Sequence, residues 1–394
     1  MPLPVPVQRQ REVVSLSPSG HTVVLGTAGS GKTTMAILRA RFLSDPELPE
    51  AGRTLLLTFN KALVSYIRSI ASEELANVSV ENFHKFARGY LSSEGLLGFG
   101  QVIDRSRKDQ ALASAIAEVR ARYKENSFFD RSLTYFSAEI AWLAQHGVVS
   151  AEDYKASERI GRSAARMETR FREAMWEIRE AYLKERSKRG YRYDWDDLAT
   201  AARVSFETDT SNRRYRHIVI DEGQDFSPEM LRCLASAVPA DGSLTFFGDV
   251  AQQIYGHRMS WRSAGLRPPK VWEFSENYRN TAEIARLGLA IAAQPFYAGL
   301  PDMVQPKAPV AAGPKPTKVH FNTEGDQLAF VADQASRAAL TQSVAVLART
   351  NRQVRQLRTI LQATFAAQSS FQTLGILTEP ARMRSCSQDG WSSS

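Results

Sequence analysis

The chain has 394 residues, 43% of them hydrophobic and 23% charged, the composition of an ordinary globular protein with room for two or three domains. Two cysteines, Cys233 and Cys386, exclude a disulfide framework, six scattered histidines show no metal-ligand spacing, and no apolar run approaches a membrane span. The formal net charge of +8 points mildly to a polyanionic partner, and one segment supplies most of it: twelve Lys/Arg against six Glu between Tyr154 and Arg192.

Residues 1–7 lack a charged n-region and a continuous apolar core, so the expected location is the cytoplasm, a reducing compartment. Gln10 follows; its side-chain amide offers donors and an acceptor, enough to read an adenine edge, although alone it reads as an ordinary surface residue. After a turn at 17–20, the apolar run 22–25 predicts a strand, and 35–43 carries apolar residues at helical spacing. Between them Gly26, Thr27, Ala28, Gly29, Ser30, Gly31, Lys32, Thr33 and Thr34 spell GxxxxGK(S/T) in full. At a strand-to-helix turn, such glycines let backbone N–H groups face a polyphosphate, and the helix N-terminus adds partial positive charge. Lys32 then reaches the β and γ phosphates and Thr33 ligates Mg²⁺, which makes ATP with Mg²⁺ the expected cofactor pair.

Residues 53–61 read as a buried strand ending in polar residues, with a helix over 62–67, and the end of a parallel strand is where an α/β sheet presents ligand groups. Phe59, Asn60 and Lys61 there offer a base-stacking face beside phosphate contacts, and 78–80 followed by Asn82, Phe83 and His84 repeats the pattern. From about 87 to 192 the pattern is helical: Leu112, Ala115, Ile116, Val119 and Tyr123 share one face, and Ile140, Leu143 and Ala144 mark another helix. A helix predicted over 158–183 carries Ala164, Met167, Phe171, Ala174, Met175, Ile178 and Tyr182 on its apolar face. Arg159, Arg162, Arg166 and Arg170 line a separate stripe, either a track for a phosphate backbone or a solvated face. Asp194, Asp196 and Asp197 close the segment, and helix N-capping is favoured over a metal site.

The apolar strand at 216–220 ends in Asp221 and Glu222, which suits the second half of a nucleotide site: Asp221 in the Mg²⁺ shell, Glu222 orienting and deprotonating a water. A further strand spans 244–249, and Asn277, Tyr278 and Arg279 lead into a helix beginning near Ala282. Residues 301–316, with five prolines, read as an extended connection to pieces at 318–321 and 344–350 and an amphipathic helix from Asp326.

Together the blocks QREVV, GTAGSGKTT, TFNKAL, NFHKFA, DWDDLA, IVIDEGQD, GDVAQQIY and NYRNT resemble the UvrD/Rep/PcrA-like superfamily one DNA helicases, over about 10–357. The resemblance implies that Gln10 and Tyr278 contact adenine, that Gln252 senses the γ-phosphate, and that Arg279 is an arginine finger. It assigns Phe59, Asn60, His84 and Tyr255 to single-stranded DNA, with Lys61 beside them. His257 stands where many relatives carry a stacking tryptophan, a role open to Trp261 nearby. The implied fold is α/β: a RecA-like P-loop NTPase core with a parallel sheet, in two segments at 1–87 and 195–280, a helical insertion at 88–194, and an incomplete second RecA-like lobe with an irregular tail at 281–394. No block resembles the threonine-histidine-lysine-glycine motif or the final arginine-bearing motif, and the usual large insertion of the second lobe is missing. The expectation is a C-terminally truncated 3′-to-5′ helicase, hydrolysing ATP weakly and unwinding poorly. Its partners would be single-stranded DNA or DNA with a single-stranded tail, a nuclease or repair protein beside it, and no membrane. The alternatives are a non-enzymatic DNA- or protein-binding remnant and a nucleotide-dependent partner of a nuclease.

Overall fold

Six short apolar runs become the strands of one sheet, and the long segments between them fold as helices. In the computed structural model, residues 3–124, 126–157, 167–211, 214–249, 261–293, 304, 307, 309, 311–348 and 350–366 are described. The chain divides into two units, Met1–Gly313 and Pro314–Ser394. The first unit begins with α1 (Arg9–Val14), β1 (Gly20–Gly26), α2 (Lys32–Leu43), β2 (Thr54–Thr58), α3 (Lys61–Ile70), β3 (Val78–Asn82) and α4 (Phe83–Ser93). Then come α5 (Arg105–Arg120), α6 (Leu133–Gln145), α7 (Ala151–Ala156), α8 (Arg172–Lys188) and α9 (Leu198–Thr208). It closes with β4 (His217–Ile220), α10 (Pro228–Ala237), β5 (Ser243–Gly248), β6 (Val271–Phe274) and α11 (Ala282–Ala292).

The sheet order is β3-β2-β4-β5-β1-β6, and every neighbouring pair is parallel. Because strand side chains alternate, Val23, Leu55, Ile218 and Phe246 join one core with α4, α9 and α10, while Val24, Leu56, Val219 and Phe247 join the other with α1, α2 and α3. Both faces are covered, which is why these strands are continuously apolar. The edge strand β6 was too short for periodicity to mark.

A third, all-helical core runs from Ile103 to Tyr182 through α5, α6, α7 and α8. The boundary expected at 88 falls inside α4, whose Phe86, Ala87 and Leu91 pack on the sheet instead. The insertion is tied at its base by the bridge of Val102 with Tyr193. The helix expected over 158–183 is shorter: α8 begins at Arg172, after a 3-10 turn at Thr169–Phe171. The amphipathic pattern runs on, but Arg172 turns back to donate to the carbonyls of Tyr154 (2.7 Å) and Lys155 (2.6 Å) while Met167 is buried, so the chain bends there. Arg159, Arg162 and Arg166 lie outside the described residues; Arg170 is exposed and paired with Glu168 at 2.9 Å.

The acidic cluster is neither a cap nor a metal site. Lys108, buried on α5, lies 2.6 Å from Asp194 and 2.9 Å from Asp196. Tyr182 donates to Asp194 at 2.9 Å, and Asp197 pairs with Arg186 instead of capping α9. Spacing could not reveal this, because the partners come from elsewhere in the fold.

In the second unit α12 (Glu324–Ala338) packs on α13 (Asn351–Ala366) around Ala332, Ala335 and Leu361, and Arg352 pairs with Glu324 at 2.6 Å. The pieces expected at 318–321 and 344–350 form no strand among the described residues. No helix among the described residues is long and apolar enough to cross a membrane.

Candidate nucleotide site and nucleic-acid face

The loop between β1 and α2 owes its shape to glycines at positions where another residue would be strained. Gly29 and Gly31 have φ of +81° and +86°, the left-handed region. A Cβ on Gly29 would stand 2.4 Å from Asn277 Oδ1 and 2.9 Å from Arg279 Cβ, and one on Gly31 would stand 3.1 Å from Gln10 Nε2. The loop is thus where three distant stretches meet. Gln10 is buried; its amide donates to the Ser30 carbonyl (3.0 Å) and accepts from the Val7 N–H (3.0 Å). The Tyr278 N–H donates to the Gly29 carbonyl at 3.0 Å, which keeps this residue, 63% exposed, beside the loop. Arg279 is exposed next to it. Lys32 donates to the Gly26 and Thr27 carbonyls at 2.9 and 3.0 Å and lies 3.7 Å from Asp249. The Thr27 and Ser30 hydroxyls are buried with no hydrogen-bond partner, and Ala28, Thr33 and Thr34 are half-buried.

The acidic pair follows β4, one strand removed from β1, with β5 between. Asp221 is fully buried, and neither carboxylate oxygen makes a close hydrogen bond beyond the weak approach of the Thr33 hydroxyl. Burial, then the charge of Glu222, pushes its carboxyl up to about 7, against the pull of the Thr33 hydroxyl and Lys32. An orphaned carboxylate facing a threonine hydroxyl fits a divalent cation, which would offset the cost of burying the charge. Among the described residues no group of three or more His, Cys, Asp or Glu could hold a metal ion.

Glu222 is, among the described residues, one of two non-glycine residues with positive φ, at +52°, a conformation that costs about 1–3 kcal/mol and collects at functional sites. Gln224 was not singled out by sequence, yet it joins the two halves. Its Nε2 donates to Glu222 Oε2 at 2.6 Å, and its Oε1 accepts the Asp249 N–H at 2.9 Å at the end of β5. The carboxylate of Glu222 is therefore held by a buried amide that is itself fixed to the neighbouring strand.

A second cluster forms at the ends of β2 and β3. Thr58 pairs with Asn82, so Asn60 and His84 both follow the same end of the β2–β3 pair. Asn60 caps α3 by accepting the Leu63 N–H at 2.9 Å, and Lys61 is exposed beside it. Phe59 is half-buried, its ring edge-on to Phe226 at 6.1 Å. Burial lowers the His84 pKa, with Asp196 opposing and Lys61 assisting. Its ring meets Trp195 at 5.6 Å, and Arg88 lies over the far ring at 5.4 Å. Trp195, 40% exposed, is a candidate that the sequence reading passed over among its aspartates. An aromatic residue where the insertion rejoins the sheet was the available signal. Trp261 is half-buried like Phe59, its ring against Phe246 at 5.1 Å. Gln252, Tyr255 and His257 lie outside the described residues.

Residues 7–266 match the family described as UvrD/REP helicase N-terminal domain. The chain belongs to this family. Its UvrD-type relatives include the ATP-dependent DNA helicase UvrD2 of Mycobacterium tuberculosis (strain ATCC 25618 / H37Rv), 27% identical over 294 residues, 70% of this chain and 40% of that protein. DNA helicase II of Haemophilus influenzae is 25% identical over 304 residues, covering 70% and 38%. The ATP-dependent DNA helicase srs2 of Schizosaccharomyces pombe is 22% identical over 319 residues, covering 73% and 35%. The matched part of the chain thus spans about 40% of the UvrD2 relative's length. The parallel six-stranded sheet is that of a RecA-like helicase core.

Proposed function

We propose that this chain is the nucleotide- and DNA-binding part of an ATP-dependent DNA helicase or translocase of the UvrD type, moving 3′ to 5′ on single-stranded DNA. The observation that carries the reading is the convergence of Gln10, the 26–34 loop, Asp221 with Glu222, and Tyr278 with Arg279 on one end of one sheet. In this reading Gln10 and Tyr278 take the adenine, the loop N–H groups and Lys32 the phosphates, and Arg279 and Gln252 the γ-phosphate. Thr33 and Asp221 would hold Mg²⁺, which when bound would neutralise charge on the phosphate oxygens. Glu222 accepts the proton of the attacking water, and Arg279 offsets charge on the transferred phosphoryl, a contribution of ~10³ to 10⁵ in rate for such arginines. The domain scheme of a split first lobe, a helical insertion and part of a second lobe belongs to the same proposal, as does a cytoplasmic location with a repair or nuclease partner. For this chain alone we expect slow hydrolysis and poor unwinding. The direct test is ATP turnover with and without single-stranded DNA: stimulation supports the reading, and a folded chain indifferent to both ligands overturns it.

Replacing Gln224 by Leu should lower kcat about ten- to a hundredfold with KM for ATP little changed, because Glu222 loses the group that aims it. Steady-state kinetics checks this, and an equal rise in KM would place Gln224 in binding instead.

The DNA face is assigned to Phe59, Asn60, Lys61, His84 and Trp195, with Tyr255 and His257 alongside. Stacking on an aromatic ring is worth about 1–3 kcal/mol per base whatever the sequence. Trp195→Ala should therefore weaken oligo-dT binding by about ten- to a hundredfold with ATP binding unchanged. Fluorescence anisotropy decides it, and parental affinity would remove Trp195 from the face.

A further inference from the structure

One buried cation has no part in the site so far. Arg39 lies on α2, seven residues beyond Lys32, and is fully buried. Its Nη1 donates to the carbonyls of Val14 (3.0 Å) and Leu16 (2.5 Å), and its Nη2 to that of Ser17 (3.0 Å). Among the described residues no carboxylate pairs with it, and burial lowers its pKa to about 10, so it stays charged at neutral pH.

The three carbonyls belong to the end of α1 and the turn after it. A helix of six residues is not stable alone, and its last carbonyls have no helical partners. At its start Gln10 is bonded to Ser30 of the phosphate loop, and in its middle Val13 is buried in the core shared with Met35 and Ile37 of α2. The segment carrying Gln10 is therefore fixed at both ends to the loop and helix that carry Lys32. An apolar side chain could fill the space around Arg39 but could not hold three carbonyls in one fork.

We propose that Arg39 is a positioning residue for the nucleotide base: it sets α1 so that the Gln10 amide meets the base while Lys32 holds the phosphates. This rests on the ATP-site reading above, and within it on Gln10 as the base-reading group. Arg39 touches no ligand itself and acts through the backbone of α1. Lysine keeps the charge but not the planar fork, so Arg39→Lys separates geometry from charge.

The test is calorimetric affinity of the full chain, with Mg²⁺, for a non-hydrolysable ATP analogue, the matching GTP analogue and inorganic tripolyphosphate, which has no base. Parent, Arg39→Lys, Arg39→Met and Gln10→Ala are compared. Arg39→Lys is expected to weaken the ATP analogue about tenfold while GTP-analogue and tripolyphosphate affinities stay within about twofold. The proposal is overturned if the ATP preference survives in Arg39→Lys and Arg39→Met, or if all three ligands weaken together. It is also overturned if neither Arg39 variant folds, because Arg39 would then support the domain as a whole. A parent without ATP preference, or a Gln10→Ala protein that keeps it, would instead remove the base-reading assignment, so the two failures are told apart.

Discussion

Replacing Glu222 by Gln lowers ATP turnover by about 10²- to 10⁴-fold, the usual contribution of a positioned general base, and leaves Mg·ATP binding in place. The substitution is close to isosteric. Its side-chain carbonyl still accepts the Gln224 amide now bonded to Glu222 at 2.6 Å, and the backbone at φ +52° is unaltered. Only the proton-accepting charge is lost. Lys32→Ala behaves differently: it removes the cation that lies in the loop at 2.9 and 3.0 Å from two carbonyls, so both nucleotide affinity and turnover fall. Comparing single-turnover hydrolysis with equilibrium binding separates the two. A Glu222→Gln protein that hydrolyses as fast as the parent would end the assigned mechanism.

Replacing Lys108 by Met destabilises the helical segment of α5 to α8 by about 3–5 kcal/mol, because it strands the buried Asp194 and the half-buried Asp196 instead of deleting a surface pair. The Lys108 side chain is 10% exposed and that of Asp194 6%. Burial disfavours the Lys108 charge, yet Asp196 and Asp194 overcome that and raise its pKa; burial also opposes the Asp196 charge, and Lys108 overcomes it and lowers that pKa. The signs set the pH window. A raised lysine pKa contributes stability below its unfolded value, lost only as strongly alkaline pH is reached; a lowered aspartate pKa contributes above its unfolded value, lost as the pH falls through the shifted one. The contribution is therefore intact across the neutral range and fades at both extremes. Adding Asp194→Asn and Asp196→Asn to Lys108→Met should restore much of the loss, since a neutral cluster leaves no unpaired charge. Hydrogen exchange of α5 and α8 with urea unfolding measures both. A single substitution costing under about 1 kcal/mol would show that the cluster behaves as an exposed pair.

The sequence alone determined whatever is written locally. The GxxxxGK(S/T) run, the apolar strand before it, and the acidic pair ending another strand specify a phosphate loop and a parallel α/β sheet, because each signal lies within a few consecutive residues. Tertiary structure alone decided which distant groups meet. The 158–183 pattern could not announce that α8 starts at Arg172, since the side chain that turns the chain there bonds to carbonyls on α7. The three aspartates read as caps until Lys108 arrived from a helix far away in sequence and Arg186 reached them from the end of the preceding helix. Gln224 gained its place only when β5 lay beside β4, Trp195 only when the chain rejoined the sheet beside His84, and Arg39 only when α1 folded back on α2. Periodicity reports which face of an element is buried; it carries no information on what that face is buried against, and the residues that aim a site depend on the second.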